Sequence, residues 1–173
     1  MCEGSLMTIQ EICELLKSEL LNNGYKYGFY LDGKIYLPDM SDCFDKNFFE
    51  LLLTKYRVQA PGDTKKAKVG TCHDIAVLMK YLLDRQNVPN KIWLLHDKTR
   101  SRFHTILTFE SENKTVYLEL TPQSSKLCYG KEIIFDNERE FIAQYIQNNF
   151  DITDVTDSII VGDAPDFVLS RMA

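Results

Sequence analysis

The sequence lacks any long apolar run. No stretch of its 173 residues approaches the ~18 consecutive apolar residues of a membrane span. Residues 1–24 also lack the basic start and continuous apolar core of a secretory signal peptide. From these absences we expect a cytoplasmic protein that does not have a membrane as a partner.

An excess of basic charge is also missing. Lysine and arginine number 20 against 25 aspartates and glutamates, which gives a formal net charge of -5. Nucleic acids and anionic membranes are bound through a basic face, so we expect no nucleic-acid partner. The small basic cluster of Lys65, Lys66 and Lys68 is interpreted as part of a solvated loop.

Paired cysteine spacings are absent as well. The five cysteines, an odd number, have no C-x-x-C motif, and the chain is too long to depend on disulfides for a core. With 45% hydrophobic residues we expect one domain over residues 1–173 and reduced thiols. Its core is expected at about 42–122, between an N-terminal helix and hairpin and a C-terminal helix with an acidic tail.

One cysteine stands at the head of a strongly helical stretch. Apolar residues recur there at spacings of three and four: Ile75, Leu78, Met79, Leu82 and Leu83. With Gly70 before it and Pro89 after it, this period predicts a helix that buries one face and begins near Cys72. Free backbone N–H groups and the helix dipole at that position lower the pKa of a thiol, which favours the nucleophilic thiolate.

Other segments also show regular patterns. Further helices are predicted at residues 8–21, 41–55 and 137–149. Strands are predicted in a hairpin at residues 25–37 and at residues 91–95, 103–110 and 115–120. Residues 56–68 contain Pro61 and Gly62 without apolar periodicity and are interpreted as an exposed loop. Ser41 or Asp42 is expected to cap the second helix. Together these patterns indicate an α+β fold in which the Cys72 helix packs on an antiparallel sheet.

The turn between the last two strands predicts their register. If Glu112-Asn113 is a two-residue turn, paired residues have numbers that sum to 225, so Ile106 faces Glu119. His104 and Glu119 are then diagonal neighbours on one face of the sheet. Diagonal neighbours lie about 7–8 Å apart, which lets a carboxylate reach an imidazole.

Three blocks of the sequence carry a resemblance to a known family. They are G-T-C-H-D-I-A-V-L-M-K-Y-L-L-D with V-P-N-K-I-W, then F-H-T-I-L, and then V-Y-L-E-L-T-P, within residues 56–122. In this order they resemble the transglutaminase-like superfamily, a branch of the papain-like fold. The resemblance implies a catalytic cysteine, histidine and acid, and Cys72, His104 and Glu119 fall on those positions. Glu119 departs from the aspartate that is commonest in the family.

This set of residues suits nucleophilic acyl transfer. Cys72 is expected to attack a carbonyl as a thiolate, His104 to take and return a proton, and Glu119 to orient the imidazole. The backbone N–H of Cys72 is one expected oxyanion donor.

Three further residues, at or before the nucleophile's part of the chain, have expected roles of their own. Gln59 and Tyr56 are the candidates for a second oxyanion donor, because an amide and a hydroxyl can both donate. His73 follows Cys72 directly, and successive side chains of a helix point about 100° apart. We therefore expect His73 to line the substrate cleft rather than to act as a base.

The expected function is that of a cysteine peptidase or amide hydrolase that acts on a peptide or protein substrate without a cofactor or metal. A protein-glutamine transglutaminase or deamidase is an alternative, because it uses the same acyl-enzyme. A catalytically inactive peptide-binding module is another. A zinc site of Cys72, His73, His96 and His104 is disfavoured, because these residues have no compact ligand spacing.

Overall fold

A computed structural model describes residues 6–39, 45–122 and 128–172, which contain six helices and nine strands. The helices are α1 (Ile9–Leu20), α2 (Lys46–Thr54), α3 (Pro61–Ala67), α4 (Cys72–Asp84), α5 (Glu138–Gln147) and α6 (Asp166–Met172). The strands are β1 (Lys26–Tyr27), β2 (Phe29–Leu31), β3 (Lys34–Tyr36), β4 (Val69–Gly70), β5 (Asn90–Asp97), β6 (Arg102–Ser111), β7 (Lys114–Leu118), β8 (Glu132–Phe135) and β9 (Phe150–Asp154).

The centre of the fold is an antiparallel sheet of five strands in the order β8-β7-β6-β5-β9. Successive side chains of a strand point to opposite faces. Ile92 and Leu94 accordingly pack with α1 and α4, whereas Trp93 and Leu95 pack under Phe141 of α5. Helices therefore cover both faces. The α+β prediction, with the cysteine-bearing helix packed on an antiparallel sheet, is confirmed.

The turn between β6 and β7 sets the register of the site. Glu112-Asn113 has positive φ at both residues, 52° and 59°, as a type I′ hairpin turn requires. Thr108 pairs with Tyr117, so the numbers of paired residues sum to 225, as predicted. Side chains alternate from this pair along both strands, so His104 and Glu119 lie on the same face of the sheet.

Residues 56–68 differ from the exposed loop that was predicted. Pro61 is the first residue of α3, a position that proline favours because its missing N–H has no helical partner there. Tyr56 and Val58 are buried against Phe29 and Phe48, which come from the N-terminal hairpin and from α2. This segment has no apolar period because α3 is short and polar.

The cap of α2 also differs from the prediction. Asp45 is the N-cap, and its Oδ1 accepts hydrogen bonds from the backbone N–H groups of Asn47 and Phe48. The predicted caps, Ser41 and Asp42, lie outside the described residues. The helix therefore begins later than predicted, at Lys46.

The C-terminal third holds more structure than a helix and an acidic tail. α5 lies within the helix predicted at residues 137–149 and has Asn137 as its N-cap, but β8 precedes that helix and β9 follows it. β9 adds an edge strand to β5, and α6 ends the described chain. The sequence F-D-I-T-D of β9 has too few apolar residues for its strand pattern to be recognised.

A buried carboxylate anchors the start of α4. Asp74 is fully buried and accepts hydrogen bonds from the Tyr56 hydroxyl (2.7 Å), the Gln59 N–H (2.8 Å) and the Thr71 N–H (2.8 Å). Burial raises the pKa of Asp74 to about 6, although these donors act in the opposite direction. Asp74 thus joins the segment before α3 to the first turn of the helix that carries Cys72.

Replacing Asp74 by alanine should lower the free energy of unfolding by about 3 kcal/mol, because three buried donors lose their acceptor and one such loss costs about 1–3 kcal/mol. Denaturant unfolding followed by circular dichroism measures the change. The control is Asp84→Ala at the other end of α4, where the exposed carboxylate pairs with Lys80 and accepts from Asn90, so that its loss costs little. Equal losses for the two variants would contradict the anchoring role.

Candidate active site

Cys72 occupies the first position of α4, and only 8% of its surface is exposed. Thr71 before it is the N-cap in extended backbone conformation. The first backbone N–H groups of a helix have no partner within the helix, so they surround this position with partial positive charge. The sulfur forms a hydrogen bond with His104 and lies 3.8 Å from Nδ1 of His73.

His104 links this thiol to a buried carboxylate. Its Nε2 lies 2.7 Å from Oε2 of Glu119, and Glu119 is 2% exposed. Because Glu119 takes Nε2, we assign the hydrogen bond with the sulfur to the other ring nitrogen, Nδ1. Glu119 also accepts hydrogen bonds from the Tyr117 hydroxyl and from the Thr121 N–H at 3.1 Å, and its own carbonyl accepts from Gly130. The carboxylate is thereby held in place against the imidazole.

The electrostatics at Cys72 favour a thiolate. Burial raises the pKa of the Cys72 thiol, but the charge of His73 and the hydrogen bond from His104 outweigh it and hold the pKa well below its usual range. Burial likewise opposes charge on His73, yet the Cys72 sulfur raises the pKa of that imidazole. The two shifts agree on a thiolate beside an imidazolium. In contrast, burial raises the pKa of Cys13 to about 11.

His73 is closer to the sulfur than the helical angle indicated. Its Nδ1 lies 2.8 Å from Oγ1 of Thr105 on β6, as well as 3.8 Å from the Cys72 sulfur. The ring is buried between Tyr56 and Phe167, at centroid distances of 5.9 and 5.2 Å. The argument from a 100° separation missed this contact, because β6 holds the ring over the first turn of α4. His73 also lines a cleft in front of Cys72.

The two side chains predicted as oxyanion donors are used elsewhere. The single hydroxyl hydrogen of Tyr56 goes to Asp74. The amide nitrogen of Gln59 donates to Oγ1 of Thr64 at 3.0 Å and to the carbonyl of Val69 at 2.9 Å, which uses both of its hydrogens. In this arrangement neither side chain has a hydrogen left for an oxyanion. Both residues instead support the segment that anchors α4.

A cleft of about 410 Å³ opens in front of Cys72 and His73. α2 forms one wall with Phe48, Phe49, Leu52 and Leu53, and α6 forms another with Val168, Leu169 and Met172. Lys46 and Arg102 are its charged lining residues. The contribution of α6 was not visible in the sequence, because nothing in its pattern indicates that this short helix packs beside the start of α4.

One residue of the disfavoured zinc alternative, His96, is engaged elsewhere. In the part of the chain that the structure describes, no three histidine, cysteine, aspartate or glutamate side chains are arranged to hold a metal ion. His96 instead stacks on Phe103 with a centroid distance of 4.3 Å, and its Nδ1 lies 3.8 Å from Asp151.

None of the helices described here is long and apolar enough to span a membrane.

Comparison with known proteins gives similarities among solved structures only. No family model and no curated protein matches the chain. Calcium-bound LapG of Legionella pneumophila is 15% identical with a TM-score of 0.44, and the match covers 95% of this chain and 81% of LapG. EGTA-treated LapG is also 15% identical, with a TM-score of 0.36 and coverage of 97% and 99%.

A candidate cysteine protease from Cytophaga hutchinsonii is 12% identical with a TM-score of 0.36, and the match covers 83% of this chain and 46% of that protein. Because all three TM-scores lie below 0.5, we derive the chemistry of the site from its own residues.

Iodoacetamide should modify Cys72 faster than the other four cysteines at pH 6. An ordinary thiol with a pKa of about 8.5 is almost entirely protonated there, whereas the lowered pKa of Cys72 keeps it a thiolate. Its reactivity should therefore persist as the pH falls from 8 to 6 and decline only below the lowered pKa. Mass-spectrometric mapping of the adducts provides the measurement, and equal labelling of all five cysteines would show that no activated thiolate exists.

Proposed function

We propose that this chain is a thiol-dependent acyl-transfer enzyme of the transglutaminase-like superfamily, acting as a cysteine peptidase or amide hydrolase. The observation that carries the proposal is the continuous contact from the Cys72 sulfur through the His104 imidazole to the buried Glu119 carboxylate. A nucleophile, a base and a group that orients the base form the arrangement of an activated thiol.

Acylation follows from this geometry. The Cys72 thiolate attacks the carbonyl carbon of a substrate amide, a C–S bond forms, and an electron pair moves onto the carbonyl oxygen. The backbone N–H of Cys72, at the start of α4, is placed to stabilise that oxyanion. Nδ1 of His104 then gives its proton to the leaving nitrogen, the C–N bond breaks, and a thioester remains on Cys72.

Deacylation uses the same groups in reverse. Nδ1 of His104 accepts a proton from water, the resulting hydroxide attacks the thioester carbon, and the C–S bond breaks. The products are a carboxylic acid and the regenerated pair of thiolate and imidazolium. Throughout both steps Glu119 accepts a hydrogen bond from Nε2–H of the ring. It also stabilises the positive charge that the ring carries whenever Nδ1 is protonated, and this attraction is stronger in a buried site than in water.

The proposal is tested with a panel of peptide and glutamine-containing substrates in ¹⁸O-water, with and without excess primary amine, analysed by mass spectrometry. Wild type should cleave an amide and place one ¹⁸O in the new carboxylate. Cys72→Ala should show no turnover, and His104→Ala should lose about 10²-fold or more, the usual contribution of a general acid-base group.

The other outcomes decide between function classes. A dominant amine adduct that depends on Cys72 would contradict hydrolysis and indicate a transglutaminase. Release of ammonia from glutamine side chains, with one ¹⁸O in each new side-chain carboxylate and no chain cleavage, would indicate a deamidase. No turnover of any amide, with Cys72 still selectively alkylated, would overturn the enzyme proposal in favour of a peptide-binding module.

A further inference from the structure

Partly exposed apolar side chains converge on the cleft beside Cys72. Phe49, Leu53 and Met172 are 42%, 36% and 44% exposed, and all three line this one cleft. They come from α2 and α6, two helices that both contribute to its lining. Contiguous apolar surface of this kind in a soluble chain commonly marks a binding site. The cleft therefore suits an apolar ligand group.

The position of the cleft relates that group to the reaction. Cys72 and His73 form part of its lining, so a side chain held between α2 and α6 lies next to a carbonyl at the sulfur. A volume of about 410 Å³ falls within the usual range for binding sites, about 300–1,000 Å³. The acyl part of a substrate stays attached to Cys72 while the amine leaves, so a group bound in this cleft on the acyl side remains next to the sulfur through both steps.

Apart from Cys72 and His73, the charged side chains that line the cleft are both basic. Lys46 begins α2 and Arg102 begins β6, both are exposed, and no aspartate or glutamate belongs to the lining that the described residues form. The chain as a whole has a net charge of -5, so this concentration of positive charge departs from the rest of the protein. Two cations at the rim attract a carboxylate and repel a basic group.

We propose that this cleft is a substrate subsite for a peptide that has a bulky apolar residue on the acyl side of the scissile amide and an acidic residue just before it. The apolar side chain lies between α2 and α6, and the acidic side chain meets Lys46 and Arg102. This inference rests on the proposed function, because it assigns the substrate class of the same site.

The test compares the rates at which four acetyl-dipeptidyl chloromethyl ketones alkylate Cys72: Asp-Leu, Asn-Leu, Asp-Gly and Asn-Gly. In each reaction the thiolate displaces chloride, so a C–S bond forms as the C–Cl bond breaks. Each rate is divided by the iodoacetamide rate of the same protein, which removes differences in thiol reactivity. We expect Leu to exceed Gly by about 10-fold, the scale of discrimination by an apolar pocket, and Asp to exceed Asn by about 3-fold at low salt.

Variants of the cleft separate its two parts. Leu53→Asn should reduce the preference for Leu, and Phe49→Ser is a second change to the same wall. Lys46→Glu should abolish or reverse the preference for Asp. The matched control is Lys55→Glu, at the C-cap of α2 and outside the lining, which should leave both preferences as in wild type.

Each result bears on the proposal. Equal rates for Leu and Gly probes, with Cys72 still selectively alkylated by iodoacetamide, would overturn the subsite while leaving the proposed function intact. Equal rates for Asp and Asn, or an equal effect of Lys46→Glu and Lys55→Glu, would overturn its acidic half. Failure of iodoacetamide to select Cys72 would overturn both the subsite and the function on which it rests.

Discussion

A negatively charged sulfur at a buried position is stable only when positive charge surrounds it, and the rest of this structure is arranged around that requirement. Burial alone favours the protonated thiol of Cys72. Two imidazoles reverse that preference, His73 from the same helix and His104 from β6. Because these two imidazoles belong to different elements, the start of α4 and the start of β6 must be held in a fixed position relative to each other.

Separate sets of hydrogen bonds provide that relation. Asp74 ties the first turn of α4 to Tyr56 and Gln59, which are themselves buried. The contact between His73 and Thr105 joins the same turn directly to β6. Glu119, the other partner of the His104 imidazole, is held by the Tyr117 hydroxyl on β7 and by the backbone N–H of Thr121. The residues first considered as oxyanion donors thus stabilise the frame in which the thiolate is held.

Much of this arrangement could be predicted from the sequence, because it depends on local patterns. A helix period locates α4, and a two-residue turn at Glu112-Asn113 fixes the register that brings His104 and Glu119 together. The remainder depends on packing between segments that are distant in the chain. The contact of His73 with sulfur, the burial of Tyr56 and the cleft wall formed by α6 leave no periodic signal, since each is set by the element packed against it rather than by its own neighbours in sequence.

The ion pair between Cys72 and its imidazoles is tested most directly by titrating the ultraviolet absorbance of the thiolate against pH, with Cys72→Ala as the blank. The account predicts a thiolate signal in wild type that persists at pH 6, and a midpoint that moves to higher pH in both His73→Ala and His104→Ala. His96→Ala, whose imidazole is not among the groups that lower the pKa of Cys72, is the matched control and should titrate like wild type. A wild-type signal that appears only near pH 8.5, the value of an ordinary thiol, and does not change in either variant would contradict the account.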